Sequence, residues 1–366
     1  MASIHYSVAG EGLAHAVRAS VVVEELQKEN RVTIWAPGAA HRFLKKYWFD
    51  TGVVVMRIPG LYFNYGKERQ FRYMNSLAVW NRYFIKQLPG LKRAILKRWE
   101  KDQPDFVISD FDPLLPRAAQ NSGIPYITVD HQYSLVASDM SDLPNRLKRH
   151  LFVWSQGVRM VYRKQVLSVA SAFFSLPPNR HTKKFRVTHV GSLLRRSLIT
   201  ASKSNGYHIL VYIKRFIDIE FLGGLENLGI EVRIYGMGKR ERQGNLYFFS
   251  NDNDRFMEDL LSCRAVIHTA GNQLIGESLY LGKPILAIPE TNNIEQEING
   301  YYLEQSGFGM SCRFDNLSSD KPKEFMSKIE SFEIAIQNSQ KNRIAKRLNG
   351  VPDTIKVINK VIEDKK

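Results

Sequence analysis

Residues 268–303 read HTAGNQLIGESLYLGKPILAIPETNNIEQEINGYYL, and their pattern is the most informative in the chain about its fold. An apolar run ends at His268, a short loop contains Gly271, and a helical pattern begins near Gln273 or Leu274. A second short apolar run and a second helical pattern follow. Strands that alternate with helices in this way predict βαβ units and a mostly parallel sheet.

The loop and the helix after it have the chemistry of a nucleotide-binding site. Backbone N–H groups at a helix start have no partner within the helix and can bind a pyrophosphate. Glu277 lies about one turn into the helix, where a carboxylate can accept both hydroxyls of a ribose. Carboxylate and amide groups at the start of the next helix can bind sugar hydroxyls. The predicted contacts are Gly271, Asn272, Gln273, Leu274, Glu277, Glu295, Gln296 and Asn299.

The same alternation runs along the whole chain. Short apolar runs bounded by glycine or proline predict strands, and helical patterns separate them. The main predicted strands are 2–9, 31–36, 106–109 and 126–129 in the first half, and 207–213, 231–235, 265–268 and 284–288 in the second. We therefore predict the α/β class, with two Rossmann-like domains facing a cleft at the carboxyl ends of their sheets.

The rhythm of strands and helices breaks once, in a stretch rich in serine and lysine. We predict a first domain over residues 1–190, a linker over 191–204 and a second domain over 205–349.

Length and composition exclude several classes of protein. The chain has 366 residues, of which 44% are hydrophobic and 24% charged. That length exceeds one compact core, and that composition excludes a mainly disordered or fibrous protein. Cys263 and Cys312 cannot form a disulfide framework, so a reduced cytoplasmic setting is expected. The sequence has no recognisable signal peptide or membrane-spanning run, which predicts a soluble or peripheral protein.

The net charge of +16 is concentrated in the first half of the chain. Residues 1–204 carry 31 Lys and Arg against 14 Asp and Glu, whereas residues 205–366 carry 21 against 22. This asymmetry predicts an anionic partner for the first half, which could be nucleic acid, an acidic membrane surface or an acidic substrate. A solvated basic face is the alternative.

The segment 268–303 resembles the donor site of UDP-sugar glycosyltransferases of the GT-B fold. The group in question includes the lipid II-forming N-acetylglucosaminyltransferase and the galactolipid synthase. The family pattern stands here as Ala270-Gly271, Glu277, Gly282-Lys283-Pro284, Glu295-Gln296 and Asn299. The resemblance implies a UDP-sugar as donor substrate, with no cofactor and no metal. It also implies that the final helix, at about 350–366, packs back on the first domain.

A second motif, Gly10-Glu11-Gly12-Leu13-Ala14-His15, closes the first predicted strand. It resembles the glycine-rich loop ending in histidine of the same family, although Ala14 stands where a third glycine is usual. The resemblance implies donor contact by Gly12, an acceptor-side position for Glu11, and His15 near the reacting hydroxyl. An imidazole there can act as general base. A helix-capping or packing histidine is the alternative.

Two more strands of the first domain end in acidic segments. These segments, Asp110-Phe111-Asp112-Pro113 and Asp130-His131-Gln132, resemble a less characterised, microbial branch of these glycosyltransferases. Both follow strand ends and therefore lie at one edge of the sheet. Asp110, Asp112 and His131 are thus rival general bases or acceptor contacts, with Asp110 placed on the acceptor side. The alternative, a metal–nucleotide Asp-x-Asp motif, is disfavoured because the second domain already explains donor binding.

One position departs from the family. After the first strand of the second domain, related enzymes often have a small glycine- or serine-rich loop near the donor phosphates. Here the chain reads Lys214-Arg215-Phe216. Either these cations replace the missing backbone donors, which suits a pyrophosphate, or the loop is simply solvated.

Basic residues and aromatics are interleaved in two stretches of the first half. Residues 57–101 contain eleven Lys and Arg and nine aromatics, and residues 143–164 contain six Lys and Arg and no acid. This composition suits an anionic bilayer surface or single-stranded nucleic acid. The resemblance favours the membrane, because the best-known members of the group take lipid-linked acceptors. No nucleic-acid partner is expected, since no such binding motif is present.

The sequence therefore predicts a glycosyltransferase that moves a sugar from a UDP-sugar to an acceptor hydroxyl. The acceptor is expected to be lipid-linked or otherwise amphiphilic, and the protein cytoplasmic, at the inner face of the membrane. The reaction is expected to be a metal-independent inverting displacement. Two alternatives stay open: a nucleotide-sugar hydrolase or epimerase on the same scaffold, and a non-catalytic protein that binds nucleic acid or membranes.

Overall fold

The structure is a computed structural model in which two compact units are distinguished. The first unit contains the described residues up to Arg195 and again those from Asn349 onward, and the second contains those from Arg196 to Leu348. The described residues are 1–10, 12–61, 73–179, 186–202, 204, 206–214, 219–250, 253–341 and 348–364.

The first unit is built on a parallel sheet of seven strands. These are β1 Ser3–Val8, β2 Arg31–Ala36, β3 Val54–Arg57, β4 Phe106–Asp110, β5 Tyr126–Asp130, β6 Leu167–Ser171 and β7 Val187–Val190. Their order across the sheet is β3-β2-β1-β4-β5-β6-β7, and every neighbouring pair is parallel. The direction of winding reverses between β1 and β4, and the loops after these strands therefore border the crevice in which such sheets bind ligands.

Helices cover both faces of this sheet. They are α1 Ala14–Leu26, α2 Gly38–Tyr47, α3 Tyr73–Arg82, α4 Leu88–Asp102, α5 Leu114–Ser122, α6 Gln132–Ala137 and α7 Asn145–Val161. A π-helical turn, Tyr83–Gln87, joins α3 to α4. One core lies under α1 and α2, and another lies under α3, α4, α5 and α7. Because the sheet is covered twice, β4 and β5 are buried at every position, which explains why mainly apolar residues precede Asp110 and Asp130 at their ends.

The second unit repeats the design with six parallel strands. These are β8 Ile209–Tyr212, β9 Val232–Tyr235, β10 Leu246–Phe249, β11 Ala265–His268, β12 Ile285–Ala287 and β13 Gly309–Ser311. The order is β10-β9-β8-β11-β12-β13, so the winding reverses between β8 and β11. The loop that follows β11 is the start of the family-like segment, and it lies at this reversal.

The helices of the second unit complete the layers. They are α8 Arg196–Thr200, α9 Ile219–Glu226, α10 Asn253–Ser262, α11 Asn272–Tyr280, α12 Ile294–Gln305, α13 Lys321–Ser327 and α14 Ile329–Lys341. The last helix of the chain, α15 Val351–Glu363, belongs to the first unit. Its residues Ile358 and Ile362 are buried in the core under α1.

The prediction of two parallel α/β domains of the Rossmann type is confirmed. The structure begins α8 at Arg196, inside the stretch assigned to a linker, and places this helix in the second unit. The fully buried Lys283 holds the end of that stretch, because its Nζ donates a hydrogen bond of 2.6 Å to the carbonyl of Ser204. Lys283 therefore has a structural contact in the second unit.

None of the helices in the described part of the chain combines the length and apolar character needed to cross a bilayer. The longest of them, α7, has 17 residues.

Candidate active site

The predicted histidine lies at the winding reversal of the first sheet. After β1, the backbone turns at Gly12 with a φ of +69°, a left-handed conformation that favours glycine, and α1 begins two residues later. His15 is therefore in the first turn of α1. Next to this loop, the N–H of Ala9 donates to the carbonyl of Asp110, which is the last residue of β4. The pairing of β1 with β4 thus brings His15 and Asp110 to the same edge.

A short hydrogen bond joins these two side chains. Nδ1 of His15 lies 2.7 Å from Oδ1 of Asp110. An ionised carboxylate only accepts hydrogen bonds, so Nδ1 carries the hydrogen, and Nε2 is the nitrogen that can take a proton. His15 keeps 8% of its surface exposed, whereas Asp110 has none. A histidine that a buried carboxylate orients in this way can act as a general base, and that role for His15 stays a prediction.

Arg18 is the third member of this cluster, one helical turn beyond His15. Its Nε and Nη2 each donate a hydrogen bond of 2.7 Å to one oxygen of Asp110. Burial works to raise the pKa of Asp110, but Arg18 and then His15 outweigh it, so the pKa is lowered. Asp110 is therefore ionised at neutral pH, and a buried guanidinium balances its charge.

Phe111 covers the His15 ring. Its φ of +56° is left-handed, which is costly for a residue with a large side chain, and its N–H donates to the hydroxyl of Tyr162. The phenyl ring stacks on the imidazole with ring centres 6.3 Å apart and an interplanar angle of 13°. On another side, the phenyl ring stacks with Trp154 of α7 at 6.5 Å. The strained backbone thus places an aromatic face against the predicted base.

Asp112 has backbone partners at the start of α5. Its Oδ2 accepts hydrogen bonds from the N–H groups of Leu114 and Leu115, at 3.1 and 3.2 Å. The side chain is buried, and burial raises its pKa to about 6. These contacts are those of a helix-capping carboxylate. A role for Asp112 as general base stays a prediction.

His131 and its neighbour Asp130 lie at the end of β5. Nδ1 of His131 donates a hydrogen bond of 2.8 Å to the carbonyl of Ser171 on β6, and the ring is buried. Burial, together with the charge of Asp110, raises the pKa of Asp130 to about 6. The structure thus joins His15, Arg18 and Asp110 in one cluster, and a role for His131 as base also stays a prediction. Glu11 lies outside the described residues.

The predicted donor segment lies at the winding reversal of the second sheet. Gly271 is the N-cap of α11, which begins at Asn272 rather than at Gln273 or Leu274. The preceding residue, Ala270, has a φ of +56°, and its carbonyl accepts a hydrogen bond of 3.0 Å from the amide of Asn299. The predicted residue Asn299 therefore holds the loop that leads into α11.

Glu277 forms a pair with Gln273 on one face of α11. Nε2 of Gln273 donates a hydrogen bond of 2.9 Å to Oε1 of Glu277. Both side chains are buried, and Glu277 keeps 1% of its surface exposed. Asn272 is buried beside them, and Leu274 is half-buried. The first two turns of α11 therefore carry a pre-arranged amide–carboxylate pair, of which Glu277 was predicted to bind ribose.

The other predicted polar residues stand at the start of α12. Asn293 caps this helix by accepting from the N–H of Gln296. The side-chain oxygen of Gln296 accepts a hydrogen bond of 2.7 Å from the N–H of Glu290, which orients the loop after β12. Glu295 lies in the first turn and is half-exposed.

Two groups border the start of α11. His268 at the end of β11 is fully buried, and burial lowers its pKa to about 3, so the ring is neutral. Tyr212 at the end of β8 pairs with His268, and Lys214 follows it at the same edge of the sheet. Nζ of Lys214 lies 5.6 Å from the centre of the Tyr212 ring. Arg215 and Phe216 lie outside the described residues.

Sequence reasoning assigned no role to Arg18, Phe111 or Glu290. The signal for Arg18 was its spacing of three residues from His15, which puts both on one face of a helix. Nothing in the sequence indicated that Phe111 adopts a left-handed backbone, because that conformation favours Gly, Asn and Asp.

Comparison with known proteins gives one family and one fold. Residues 2–330 match the family described as glycosyl transferase family 1. An uncharacterized glycosyltransferase of Methanosarcina mazei is 24% identical over 394 residues, which cover 98% of each chain. UGT2 of Phytolacca americana, solved with UDP-2-fluoro-glucose and pterostilbene, is similar with a TM-score of 0.69 and 14% identity over the whole of both chains. MurG of Acinetobacter baumannii is similar with a TM-score of 0.59 and 14% identity, over 98% of this chain and all of MurG.

Proposed function

We propose that this chain, which belongs to glycosyl transferase family 1 and is a GT-B glycosyltransferase, transfers a sugar from a UDP-sugar to an acceptor hydroxyl. The observation that carries the proposal is the hydrogen bond between His15 and Asp110, which gives the chain an oriented base at a ligand-binding edge. The narrower group, that of the lipid II-forming enzyme and galactolipid synthase, is part of the same proposal.

The second unit is the proposed donor site. The N–H groups at the start of α11 carry partial positive charge, which stabilises the charge that develops on a departing diphosphate. Glu277 is proposed to accept the ribose hydroxyls, with Gln273 fixing its orientation. Glu295 and Gln296 are proposed to bind the transferred sugar, and Gly12 and Asn299 to contact the donor. The relative solved with a UDP-sugar analogue supports uridine as the nucleoside.

The first unit is proposed to supply the base for a single inverting displacement without a metal or cofactor. Nε2 of His15 takes the proton from the acceptor hydroxyl as its oxygen forms a bond to the anomeric carbon. The bond between that carbon and the diphosphate oxygen breaks, and UDP leaves with the electron pair. Asp110 stabilises the imidazolium that forms.

The acceptor is proposed to be lipid-linked or amphiphilic, and α7 to contact an anionic membrane. Phe152 and Val153 on α7 are 68% and 57% exposed, and Arg149 and Met160 are exposed on the same helix. Residues 143–164 contain no acid that would oppose binding to anionic lipids. Cations near such a surface contribute roughly 1 kcal/mol each.

A nucleotide screen tests the donor part of the proposal. We expect UDP, and one of UDP-glucose, UDP-galactose and UDP-N-acetylglucosamine, to raise the melting temperature, with dTDP and ADP as controls. Equal stabilisation by UDP, dTDP and ADP would contradict a uridine site. Mass spectrometry of a reaction with alkyl glycosides and with glycosylated polyprenyl diphosphates, whose sugars offer hydroxyl groups, should then detect a glycosylated product. Donor consumption at the same rate without any acceptor would instead favour a hydrolase.

Vesicle binding tests the membrane part separately. The protein should sediment with vesicles of phosphatidylcholine and phosphatidylglycerol, and not with phosphatidylcholine alone. The double variant Phe152→Ser, Val153→Ser should bind less, whereas Phe49→Ser, which changes a phenyl ring 80% exposed elsewhere in the same unit, should bind as before. Equal binding by all three proteins would contradict a contact through α7.

A further inference from the structure

We propose that Arg18 is a positioning residue that fixes which nitrogen of His15 carries the hydrogen, acting through Asp110. The inference rests on the proposed role of His15 as base, and it adds a residue that the reacting atoms do not contact. Arg18, Asp110 and His15 are all buried, and they lie within hydrogen-bonding distance of one another.

The two hydrogen bonds from Arg18 fix the plane of the Asp110 carboxylate. Nε binds Oδ2 and Nη2 binds Oδ1, each at 2.7 Å, in the forked geometry that guanidinium and carboxylate groups share. A carboxylate with one partner could rotate about its terminal bond. With both oxygens bound by Arg18, Oδ1 is held at the point where it also meets Nδ1 of His15.

The distance between Arg18 and His15 bears on which nitrogen of the neutral imidazole carries the hydrogen. Nη2 of Arg18 lies 2.9 Å from Nδ1 of His15 and could donate to it if Nδ1 were bare. A bare Nδ1 would then face the ionised Oδ1 at 2.7 Å with two lone pairs opposed, which is repulsive. The hydrogen therefore sits on Nδ1 and is donated to Asp110, and Nε2 keeps its lone pair for the acceptor proton.

Lysine is not expected to replace Arg18. An ammonium group is a point charge that can balance Asp110 but cannot hold both of its oxygens in one plane. Arg18→Lys thus removes the paired hydrogen bonds to the two oxygens of Asp110 but keeps the positive charge. Arg18→Met removes both the fork and the charge while it keeps a long side chain.

The test measures directly which ring nitrogen of His15 carries the hydrogen. With ¹⁵N-labelled histidine, the signal of His15 is identified among the nine histidines as the one missing from His15→Gln. At a pH where His15 is neutral, the wild-type protein should show the hydrogen on Nδ1. Arg18→Lys should show a mixture of the two forms, because the carboxylate is free to turn. Unchanged nitrogen shifts in a folded Arg18→Lys protein would overturn the proposal.

Kinetics give a second readout. With the UDP-sugar that stabilises the protein most, Arg18→Lys should lower kcat about 10- to 100-fold while KM for the donor changes less than twofold. A loss confined to KM would overturn a positioning role. Arg18→Met should show the same nitrogen shifts and loss of kcat if it folds. If it does not fold, Arg18→Lys alone decides.

Arg233→Met is the matched control. Arg233 also binds two acids, Glu231 and Asp259, but it lies on β9 in the second unit, away from His15 in the chain. This variant should lower the melting temperature without changing the His15 signal or kcat. If Arg233→Met changes the His15 signal and kcat as Arg18→Lys does, a general loss of stability explains both effects and the proposal is overturned. The nitrogen shifts report on Arg18 even if no UDP-sugar is turned over, so failure of the proposed function is recognised separately.

Discussion

His15 and Asp110 are 95 residues apart in the chain, and their side chains share a hydrogen bond of 2.7 Å. The contact exists because β1 and β4 are neighbours in the sheet, with Val8 paired to Asp110. Their carboxyl ends lie where the winding of the sheet reverses, which is where open α/β sheets bind ligands. The position of the pair in the fold and its chemistry therefore indicate the same role.

Replacing His15 should stop transfer without stopping donor binding. His15→Ala removes the proposed base, so we expect kcat to fall about 10²- to 10⁴-fold, while the melting-temperature shift caused by UDP is retained. Initial rates at saturating donor check this. Asp112→Asn and His131→Gln address the rival bases. If either of these variants, in folded form, loses about 10²-fold or more of its turnover while His15→Ala stays active, the base is misassigned.

Glu277→Gln should weaken the binding of UDP. A hydrogen bond to a charged group contributes about 1.5–3 kcal/mol, so the Kd for UDP should rise about 10- to 100-fold. Isothermal titration calorimetry measures this effect. Glu297→Gln is the control, since Glu297 is also a buried acid of the second unit, on α12. Unchanged affinity of Glu277→Gln for UDP would contradict the ribose assignment.

At Phe111, glycine should be tolerated at least as well as alanine. The φ of +56° costs an alanine about 1–2 kcal/mol, while glycine loses about 0.4–1 kcal/mol through the greater freedom of its unfolded chain. Phe111→Gly should therefore be more stable than Phe111→Ala by up to about 1.5 kcal/mol in urea unfolding. At Leu115 in α5, the order should be the usual one, with glycine less stable by about 1 kcal/mol. The same order at both positions would show that the backbone of Phe111 is not strained.

His268 should make the protein sensitive to acid. Its pKa is lowered from 6.5 to about 3 by burial. Between these values, acidification protonates the unfolded chain but not the folded one, so the free energy of unfolding falls by about 1.4 kcal/mol per pH unit from this group. His268→Leu removes this contribution. Urea unfolding at a series of pH values below 6.5 should show a shallower decline for the variant, and parallel declines would contradict the assignment.

The main strands and the donor segment could be predicted from the sequence because their signals are local. Apolar runs bounded by glycine or proline correspond to β1, β2, β4 and β5, and the loop–helix pattern corresponds to the start of α11. Strands such as β12 and β13 have only three residues, and β13 was not predicted. Three residues are too few to show a periodicity, so β13 is determined by its pairing with β12.

The arrangement of the first site could be predicted only in part. His15 was predicted from the resemblance of its glycine-rich loop and Asp110 from its position after a strand, but their direct contact depends on the order of strands in the sheet. The fork from Arg18 depends on that order as well, since 92 residues separate it from Asp110. The contacts of Asp112 do not depend on the order of strands. Its hydrogen bonds to the start of α5 join near neighbours in the chain and follow from ordinary helix capping.

The packing of α15 affects how the protein is made. Ile358 and Ile362 complete a core that β1 and α1 begin, and the whole second unit lies between these two parts of the chain. During synthesis the ribosome must therefore release more than three hundred residues before the first unit can close, whereas the second unit has all of its strands by Ser311. The unit that carries the proposed base starts first and is finished last, and until then it leaves an apolar face for chaperones to cover.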